Sequence, residues 1–173
     1  FLGFGFWKSG SEWKCRPLES RKARLWDKLR TFTCRRKAAA IPLSVTINKV
    51  NEIMRGWINY YRIGNMKGFM DLTGQWIRHR IRVIMVKQWK KPKTIQKNLK
   101  WYCTLFYFNF TDEDLYKVAN TRRGLYAQCN GDVINYILSP KVLGTKLTTG
   151  KGKNRKTVYP GLVNPLAYYL GTT

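Results

Sequence analysis

The residues that could support catalysis are few, and none completes a catalytic motif. Asp112, Glu113 and Asp114 are three consecutive acids, whereas two-metal phosphoryl transfer needs carboxylates that converge on a metal pair. Their position after Thr111 instead predicts a helix start, where a capping box and the helix dipole favour acidic side chains. His79 is the only histidine and lies among arginines without a Ser or Cys partner at motif spacing. We therefore expect a surface or phosphate-facing role for it.

Two further patterns resemble binding motifs but depart from them in spacing. A phosphate-binding loop would need Gly144 to lie one residue nearer to Gly150-Lys151, and Gly152 stands where that motif requires Ser or Thr. We therefore interpret residues 144–160 as a mobile basic loop. The cysteines include no C-x-x-C pair, so reduced thiols of a cytosolic protein fit better than disulfides or zinc. They are Cys15, Cys34, Cys103 and Cys129.

Positive charge is the dominant feature of the sequence. The 173 residues contain 33 Lys and Arg against 9 Asp and Glu, a net charge of +24. The excess is concentrated between Lys28 and Lys100, where Glu52 and Asp71 are the only acids. A polyanion is the natural partner of such a chain, because each neutralised phosphate releases a condensed counterion.

The aromatic content indicates that this charge is carried by a folded domain. The chain has 7 Trp, 10 Tyr and 8 Phe, whereas charged disordered segments are poor in aromatics. Basic and aromatic residues together are typical of nucleic-acid binders. Trp57 and Tyr61 are predicted to be core residues, while Tyr60 and Trp89 lie off the apolar stripes and could stack on unpaired bases.

No targeting or membrane segment is predicted. No run of about 18 apolar residues exists, so we expect no transmembrane helix. The apolar residues 1–7 have no preceding basic segment and do not form a secretory signal. Because there is no initiator Met, we expect the chain to begin partway through a longer protein.

The elements that must position the charges are predicted to be an N-terminal β-hairpin followed by helices. Leu2, Phe4 and Phe6 alternate with glycines to give one apolar face, and a second strand would carry Trp13 and Cys15. The fold class is therefore mostly α with an N-terminal hairpin. The predicted helices span residues 20–36, 45–62, 71–91, 94–102, 112–118, 122–129 and 133–138, with a last short helix or turn at 162–170.

Helical periodicity separates core from surface in two of these segments. Ser20 and Ser44 are candidate N-caps, and Pro92 is predicted to stop the helix before it. An apolar stripe in the second helix consists of Ile47, Val50, Met54, Trp57 and Tyr61, and a polar stripe beside it consists of Asn48, Glu52, Arg55, Asn59 and Arg62. The next helix would bury Ile77, Ile81 and Ile84. Residues 105–110 are predicted to pack under the helices.

Several motifs resemble those of bacterial group II intron reverse transcriptases of the endonuclease-lacking type. Residues 55–62, Arg-Gly-Trp-Ile-Asn-Tyr-Tyr-Arg, resemble the signature of the maturase or X domain, and residues 76–82 continue it. Residues 119–126 resemble the distal motif of this family. Residues 1–17 resemble the last hairpin of the palm, and residues 28–36 resemble the basic helix that follows it.

This resemblance implies a domain organisation and a function. Residues 1–19 would be the end of the palm, 20–143 the helical thumb or maturase domain, and 144–173 a basic loop with a C-terminal tail. The chain would bind intron RNA to assist splicing and would grip the template–primer duplex during reverse transcription. Its other partner would be the upstream fingers–palm region of the same protein. It would not bind a membrane, and it would act in the bacterial cytoplasm, associated with the nucleoid.

The resemblance also implies which residues contact RNA, through phosphates and 2′-hydroxyls. They are Arg35, Arg36, Arg55, Asn59, Arg62, Arg78, Arg80, Arg82, Asn120, Arg122 and Arg123. We add Lys87, Lys90 and Lys91 as candidates, because they are the basic residues at the end of the helix predicted at 71–91. No catalytic or metal-ligating residue is expected in this chain. The Tyr-x-Asp-Asp block of the family and its Mg²⁺ would lie upstream, in the RNA-directed DNA polymerase of which this chain would be a fragment.

Two alternatives remain open from the sequence. The chain could be a generic structural RNA-binding protein, similar to a ribosome-associated module, with no link to polymerisation. It could also be the detached part of an active polymerase, in which case it would extend primers by itself; we expect no such extension.

Overall fold

The computed structural model describes residues 2–149 and 156–172, and helices dominate it after an N-terminal hairpin. Strand β1 (Phe4–Ser9) pairs antiparallel with β2 (Glu12–Pro17). The predicted fold class, mostly α with an N-terminal hairpin, is confirmed. The helices are α1 (Glu19–Phe32), α2 (Arg35–Ala38), α3 (Leu43–Tyr61), α4 (Lys67–Trp89), α5 (Pro92–Phe106), α6 (Asp112–Ala119), α7 (Leu125–Cys129), α8 (Asp132–Ile137), α9 (Pro140–Gly144) and α10 (Pro165–Leu170).

The core is built around α3 and α4, as their apolar periodicity predicts. On α3, the stripe residues Ile47, Val50, Met54 and Tyr61 are buried, and Trp57 packs against them half-buried. On α4, the fully buried side chains include Ile77, Ile81 and Ile84. All five residues of the polar stripe on α3 are exposed. The two faces of α3 are therefore confirmed.

Several predicted helix boundaries are wrong, including the start predicted at residue 71 for the helix that begins at Lys67 and the end predicted at residue 102 for the helix that ends at Phe106. Ser20 and Ser44 are not caps, because Leu18 and Pro42 precede the first turns of α1 and α3 and no side chain caps either helix. The helix predicted to reach residue 36 ends at Phe32, since Thr33 turns its hydroxyl back to the Leu29 carbonyl oxygen at 2.8 Å.

Pro92 does not simply stop the preceding helix. It lies in the first turn of α5, where its missing N–H removes no helical hydrogen bond.

The aromatic segment 105–110 is only partly covered. Phe108 and Phe110 pack on Tyr136 with ring centroids 5.1 and 5.6 Å apart. Tyr107 is 95% exposed, because it ends α5 in a left-handed conformation that turns its side chain outward. The capping box that opens α6 is confirmed: Thr111 Oγ1 accepts from the Asp114 amide at 3.1 Å, and the Thr111 amide donates to Asp114 Oδ2 at 3.2 Å.

The apolar face of the hairpin is buried only near its base. Phe4 is 8% exposed and packs on Tyr61, with ring centroids 5.0 Å apart. Leu2 and Phe6 are exposed at 68% and 61%. The hairpin therefore has the apolar residues that the sequence predicts, but α1 and α3 leave most of this apolar face exposed.

The segment predicted as a loop at residues 144–160 contains a strand pair. Strand β3 (Leu147–Thr149) pairs antiparallel with β4 (Lys156–Tyr159). Alternating Thr, Val and Tyr favour extended backbone here. The centre of the predicted loop, residues 150–155, lies outside the described residues.

A buried asparagine on α3 forms hydrogen bonds with the segment that follows β4. Asn51 is 6% exposed; its Nδ2 donates to the Gly161 carbonyl oxygen at 2.8 Å, and its Oδ1 accepts from the Val163 amide at 2.9 Å. The next helix, α10, packs on both α3 and α4. The polar Asn51 therefore lies in the core because both its hydrogen-bonding groups are satisfied.

Candidate nucleic-acid interface

Two of the predicted contact residues on α4, Arg82 and Arg80, are engaged inside the fold. Arg82 is 7% exposed; its Nε donates to the Leu138 carbonyl oxygen at 3.0 Å, and its Nη1 donates to Asn135 Oδ1. Burial and, secondarily, the positive charge of Arg78 lower the pKa of Arg82 to about 10, so the guanidinium stays charged at neutral pH. Its donors connect α4 to α8, which leaves this side chain little surface to offer a phosphate.

Arg80 has a similar structural role at the end of α1. Its Nε donates to Thr33 Oγ1 at 2.7 Å, and its Nη2 donates to the Thr33 carbonyl oxygen at 2.9 Å. The guanidinium also lies over the Trp76 ring, 5.0 Å from its centroid. A charged donor on the last carbonyls of α1 satisfies groups that the helix leaves unpaired. Arg78 is half-buried, and burial lowers its pKa while the charge of Asp71 raises it.

The predicted contact residues on α3 lie along one exposed ridge beside the C-terminal segment. Arg55, Asn59 and Arg62 recur at i, i+4 and i+7 and are all exposed. The Tyr168 hydroxyl donates to Asn59 Oδ1 at 3.1 Å. Both guanidinium groups of this ridge make no hydrogen bond or ion pair within the described ranges, so they are available to an external anion.

The most concentrated group of predicted residues surrounds a groove between α2, α4, α5 and α7. We call it the α2–α4 groove; it has a volume of about 570 Å³ and is lined by Arg36, Lys87 and Lys90, with Ile95 and Leu125 as apolar walls. The three cations are exposed. No acidic side chain is among its lining residues in the described part of the chain. The sequence placed these residues far apart, and the packing of α2 and α7 on α4 brings them together.

The remaining predicted residues lie at the edges of this groove or away from it. Arg35 extends over the Tyr126 ring, 5.8 Å from its centroid, and Lys91 precedes α5. Asn120 ends α6 and donates to the Tyr116 carbonyl oxygen at 2.9 Å. Arg122 and Arg123 are exposed in the turn before α7. Contact between RNA and the full predicted set stays a prediction.

Sequence reasoning missed a second basic groove, between α1 and α3. We call it the α1–α3 groove; Arg21, Arg24 and Lys28 line it, with Trp57 and Gly56 on the α3 side. The signal that could have identified it is the spacing i, i+3 and i+7 of these cations, which places them on one face of α1. The sequence indicates that α1 is basic. Which face of α1 lines a groove depends on how α3 packs against it.

Few of the cations are neutralised within the fold. Five lysine or arginine side chains form ion pairs in the described residues, all with exposed carboxylates: Lys22–Glu19, Arg30–Asp27, Lys49–Glu52, Lys100–Asp112 and Lys117–Glu113. Exposed pairs of this kind contribute at most about 1 kcal/mol each. The remaining lysine and arginine charges therefore do not stabilise the fold through ion pairs, and they could be neutralised by an external polyanion.

His79 is half-buried rather than on the open surface that the sequence predicts, and its Nδ1 atom is buried without a hydrogen-bond partner among the described residues. Its imidazole lies 5.4 Å from the Tyr126 ring, centroid to centroid. Burial lowers its pKa, and the charges of Arg82 and Arg80 lower it further, which favours the neutral imidazole. In the part of the chain that the structure describes, no group of three His, Cys, Asp or Glu side chains is placed to hold a metal ion. The described helices also include none that is long and apolar enough to cross a bilayer.

Comparison with known proteins finds a family match for the region that contains most of the residues lining the two grooves. The family model for the group II intron, maturase-specific domain, matches residues 22–103. This range contains all of α2, α3 and α4 and most of α1 and α5. No curated protein matches the chain.

Proposed function

Because residues 22–103 belong to the group II intron maturase-specific domain family, we propose that the chain binds group II intron RNA and assists its splicing. The observation that carries this proposal is the α2–α4 groove, where three exposed cations converge without an acidic neighbour among the described lining residues. Lys and Arg side chains so placed suit phosphates, whose contacts supply most of the affinity for structured RNA. The three cations of the groove lie within the matched region, and its α7 wall lies outside it.

The second part of the proposal is that this domain is the thumb of an intron-encoded reverse transcriptase and holds the template–primer duplex. The exposed apolar residues of the N-terminal hairpin support a protein partner: Leu2, Phe6 and Trp13 are 68%, 61% and 72% exposed. Exposed apolar side chains grouped on one element are a feature of interaction sites. Its partner would be the upstream fingers–palm region, which would hold the Mg²⁺ and the polymerase carboxylates. The protein would act in the bacterial cytoplasm, at the nucleoid.

The α2–α4 groove can be tested with a charge-removing variant. The triple variant Arg36→Gln/Lys87→Gln/Lys90→Gln removes its three cations, and Lys8→Gln/Lys14→Gln/Lys141→Gln removes three exposed cations outside residues 22–103. Each lost phosphate contact reduces the slope of log affinity against log salt by about 0.7–0.9, so the groove variant should lose about 2–3 units of slope. The control should keep most of the slope and affinity.

The same variants should differ in splicing. We expect the groove variant to lose stimulation of group II intron splicing at protein concentrations where the control still stimulates it. Equal affinity and equal splicing for the two variants would contradict the proposed site. Equal affinity of the unsubstituted chain for an unrelated structured RNA would instead favour a generic RNA-binding protein.

A further inference from the structure

The α1–α3 groove has the dimensions and chemistry of a binding site for a nucleic-acid strand. It has a volume of about 520 Å³. Arg21, Arg24 and Lys28 line its α1 side. None of the three side chains makes a hydrogen bond or an ion pair with the described part of the chain. By contrast, Arg30 on the same helix pairs with Asp27 at 3.2 Å. The groove therefore holds positive charge that the fold leaves without a partner.

The single acid in the groove does not neutralise it. Glu52 Oε2 pairs with Lys49 Nζ at 2.9 Å. The Lys49 and Glu52 side chains are 42% and 69% exposed, so water screens this pair. The hydrogen bond and charge of Lys49 lower the pKa of Glu52, and Lys28 contributes a smaller effect. Counting Lys49, the α1–α3 groove keeps a net positive charge.

Gly56 lies opposite these cations, in the interior of α3, and the fold does not explain it. A Cβ at this position would meet nothing within 4 Å. Glycine is the least favourable residue in a helix interior apart from proline. Gly74 in α4 differs, because a Cβ there would lie 3.0 Å from Arg78 Nη1 and 3.2 Å from Pro165 Cδ. Gly56 instead leaves the helix backbone open to a group that approaches from outside.

The aromatic residue next to it provides a rigid floor. Trp57 is half-buried, and its ring centroid lies 4.5 Å from that of Tyr61 and 5.6 Å from that of Phe69. These contacts fix the indole, so it costs little conformational entropy to use it as a binding surface. A groove with cations on one side and an open backbone beside an aromatic edge suits a sugar-phosphate chain.

We propose that the α1–α3 groove holds one strand of the bound RNA, with its phosphates on Arg24 and Lys28 and a ribose against the backbone at Gly56. This inference rests on the proposed function for the identity of the RNA. An acidic peptide would satisfy the cations, but it would not require the open backbone at Gly56 to the same degree, because its carboxylates stand on flexible side chains.

The test fills the open space without removing a charge. Gly56→Leu places a side chain in the groove, and Gly68→Leu places the same side chain on an exposed helical position of α4, where a Cβ would also meet nothing within 4 Å. Filter binding to group II intron RNA should show about a tenfold loss of affinity for Gly56→Leu and about twofold or less for Gly68→Leu. Neither variant should melt at a lower temperature, because leucine favours the helix.

A charge-removing pair of variants tests the phosphate contacts independently. Arg24→Gln/Lys28→Gln should reduce the salt slope by about 1.4–1.8 and should remove backbone protection from a few contiguous nucleotides in a hydroxyl-radical footprint. Unchanged affinity of Gly56→Leu, with the same footprint as the unsubstituted chain, would overturn the inference. Competition by an acidic peptide, with RNA affinity unaffected by Gly56→Leu, would also overturn it.

The two proposals fail in different ways. If the unsubstituted chain prefers intron RNA and Gly56→Leu binds equally well, the groove assignment is wrong and the function stands. If the chain shows no preference for intron RNA but Gly56→Leu weakens binding to every RNA, the groove stands and the maturase function is wrong. Absence of RNA binding by the unsubstituted chain would contradict both.

Discussion

Replacing Arg82 by methionine should make the chain easier to unfold without removing an RNA contact. The guanidinium connects α4 to the Leu138 carbonyl oxygen and to Asn135 Oδ1. Methionine has a similar length and no polar group, so the substitution removes the hydrogen bonds while leaving little empty space. The Leu138 carbonyl oxygen would remain buried without its partner.

The magnitude follows from the number of hydrogen bonds lost. A hydrogen bond to a charged group contributes about 1.5–3 kcal/mol net, and relief of the buried charge offsets part of the sum of two. We therefore expect the free energy of unfolding to fall by about 3 kcal/mol. For a domain of this size each kcal/mol shifts Tm by about 2–4 °C, so Tm should fall by about 6–12 °C.

Two measurements separate a structural role from RNA contact. Urea unfolding gives the change in stability, and RNA affinity is measured well below the lowered Tm, where Arg82→Met should bind within about twofold of the unsubstituted chain. Arg82→Lys keeps the charge but loses the planar fork, so it should recover only part of the stability. Unchanged stability combined with a tenfold loss of affinity would refute the reasoning and make Arg82 a direct contact.

Three further perturbations test other parts of the structure. Asn51→Leu removes both hydrogen bonds to the segment before α10, so urea unfolding should show a loss of about 2–4 kcal/mol; a loss below about 0.5 kcal/mol would contradict this attachment. The hydrogen bonds from Thr111 lower the pKa of Asp114, so the cap stabilises the fold above pH of about 4 and its contribution is lost as pH falls through that lowered pKa. Asp114→Asn should therefore be less stable than the unsubstituted chain at pH 7, with the gap narrowing towards pH 2; a constant gap in urea unfolding would contradict it. Backbone N–H groups at the start of α2 lower the pKa of Cys34, while burial raises the pKa of Cys129 to about 12. In native protein at pH 8, iodoacetamide should therefore alkylate Cys34 before Cys129. Equal alkylation rates of these two thiols, measured by mass spectrometry, would be inconsistent with the fold.

The local features of this fold could be predicted from the sequence because their signals lie within one or two turns. The apolar stripe of α3 repeats at helical spacing, and the Thr111–Asp114 cap spans four residues; the structure confirms both. The start of α1 was mispredicted because Ser20 has the right residue type for a cap, but the chain already turns into the helix at Glu19.

The role of the buried arginine could not be predicted, because its partners lie far along the chain. Arg82 and Leu138 are separated by 56 residues, and no pattern near Arg82 distinguishes it from an exposed arginine. The family resemblance therefore implied RNA contact for Arg80 and Arg82, whose donors form hydrogen bonds inside the fold. Conversely, the α1–α3 groove forms only when α3 packs beside α1. The sequence alone therefore did not predict its cations as RNA contacts.

Competition binding tests the central claim most directly. The chain is titrated against a group II intron RNA and against an unrelated structured RNA of equal length, across a salt series that includes physiological ionic strength. The account predicts at least about tenfold tighter binding to the intron at physiological salt and a steep negative slope of log affinity against log salt. Equal affinity for the two RNAs, or an affinity that does not change with salt, would contradict it.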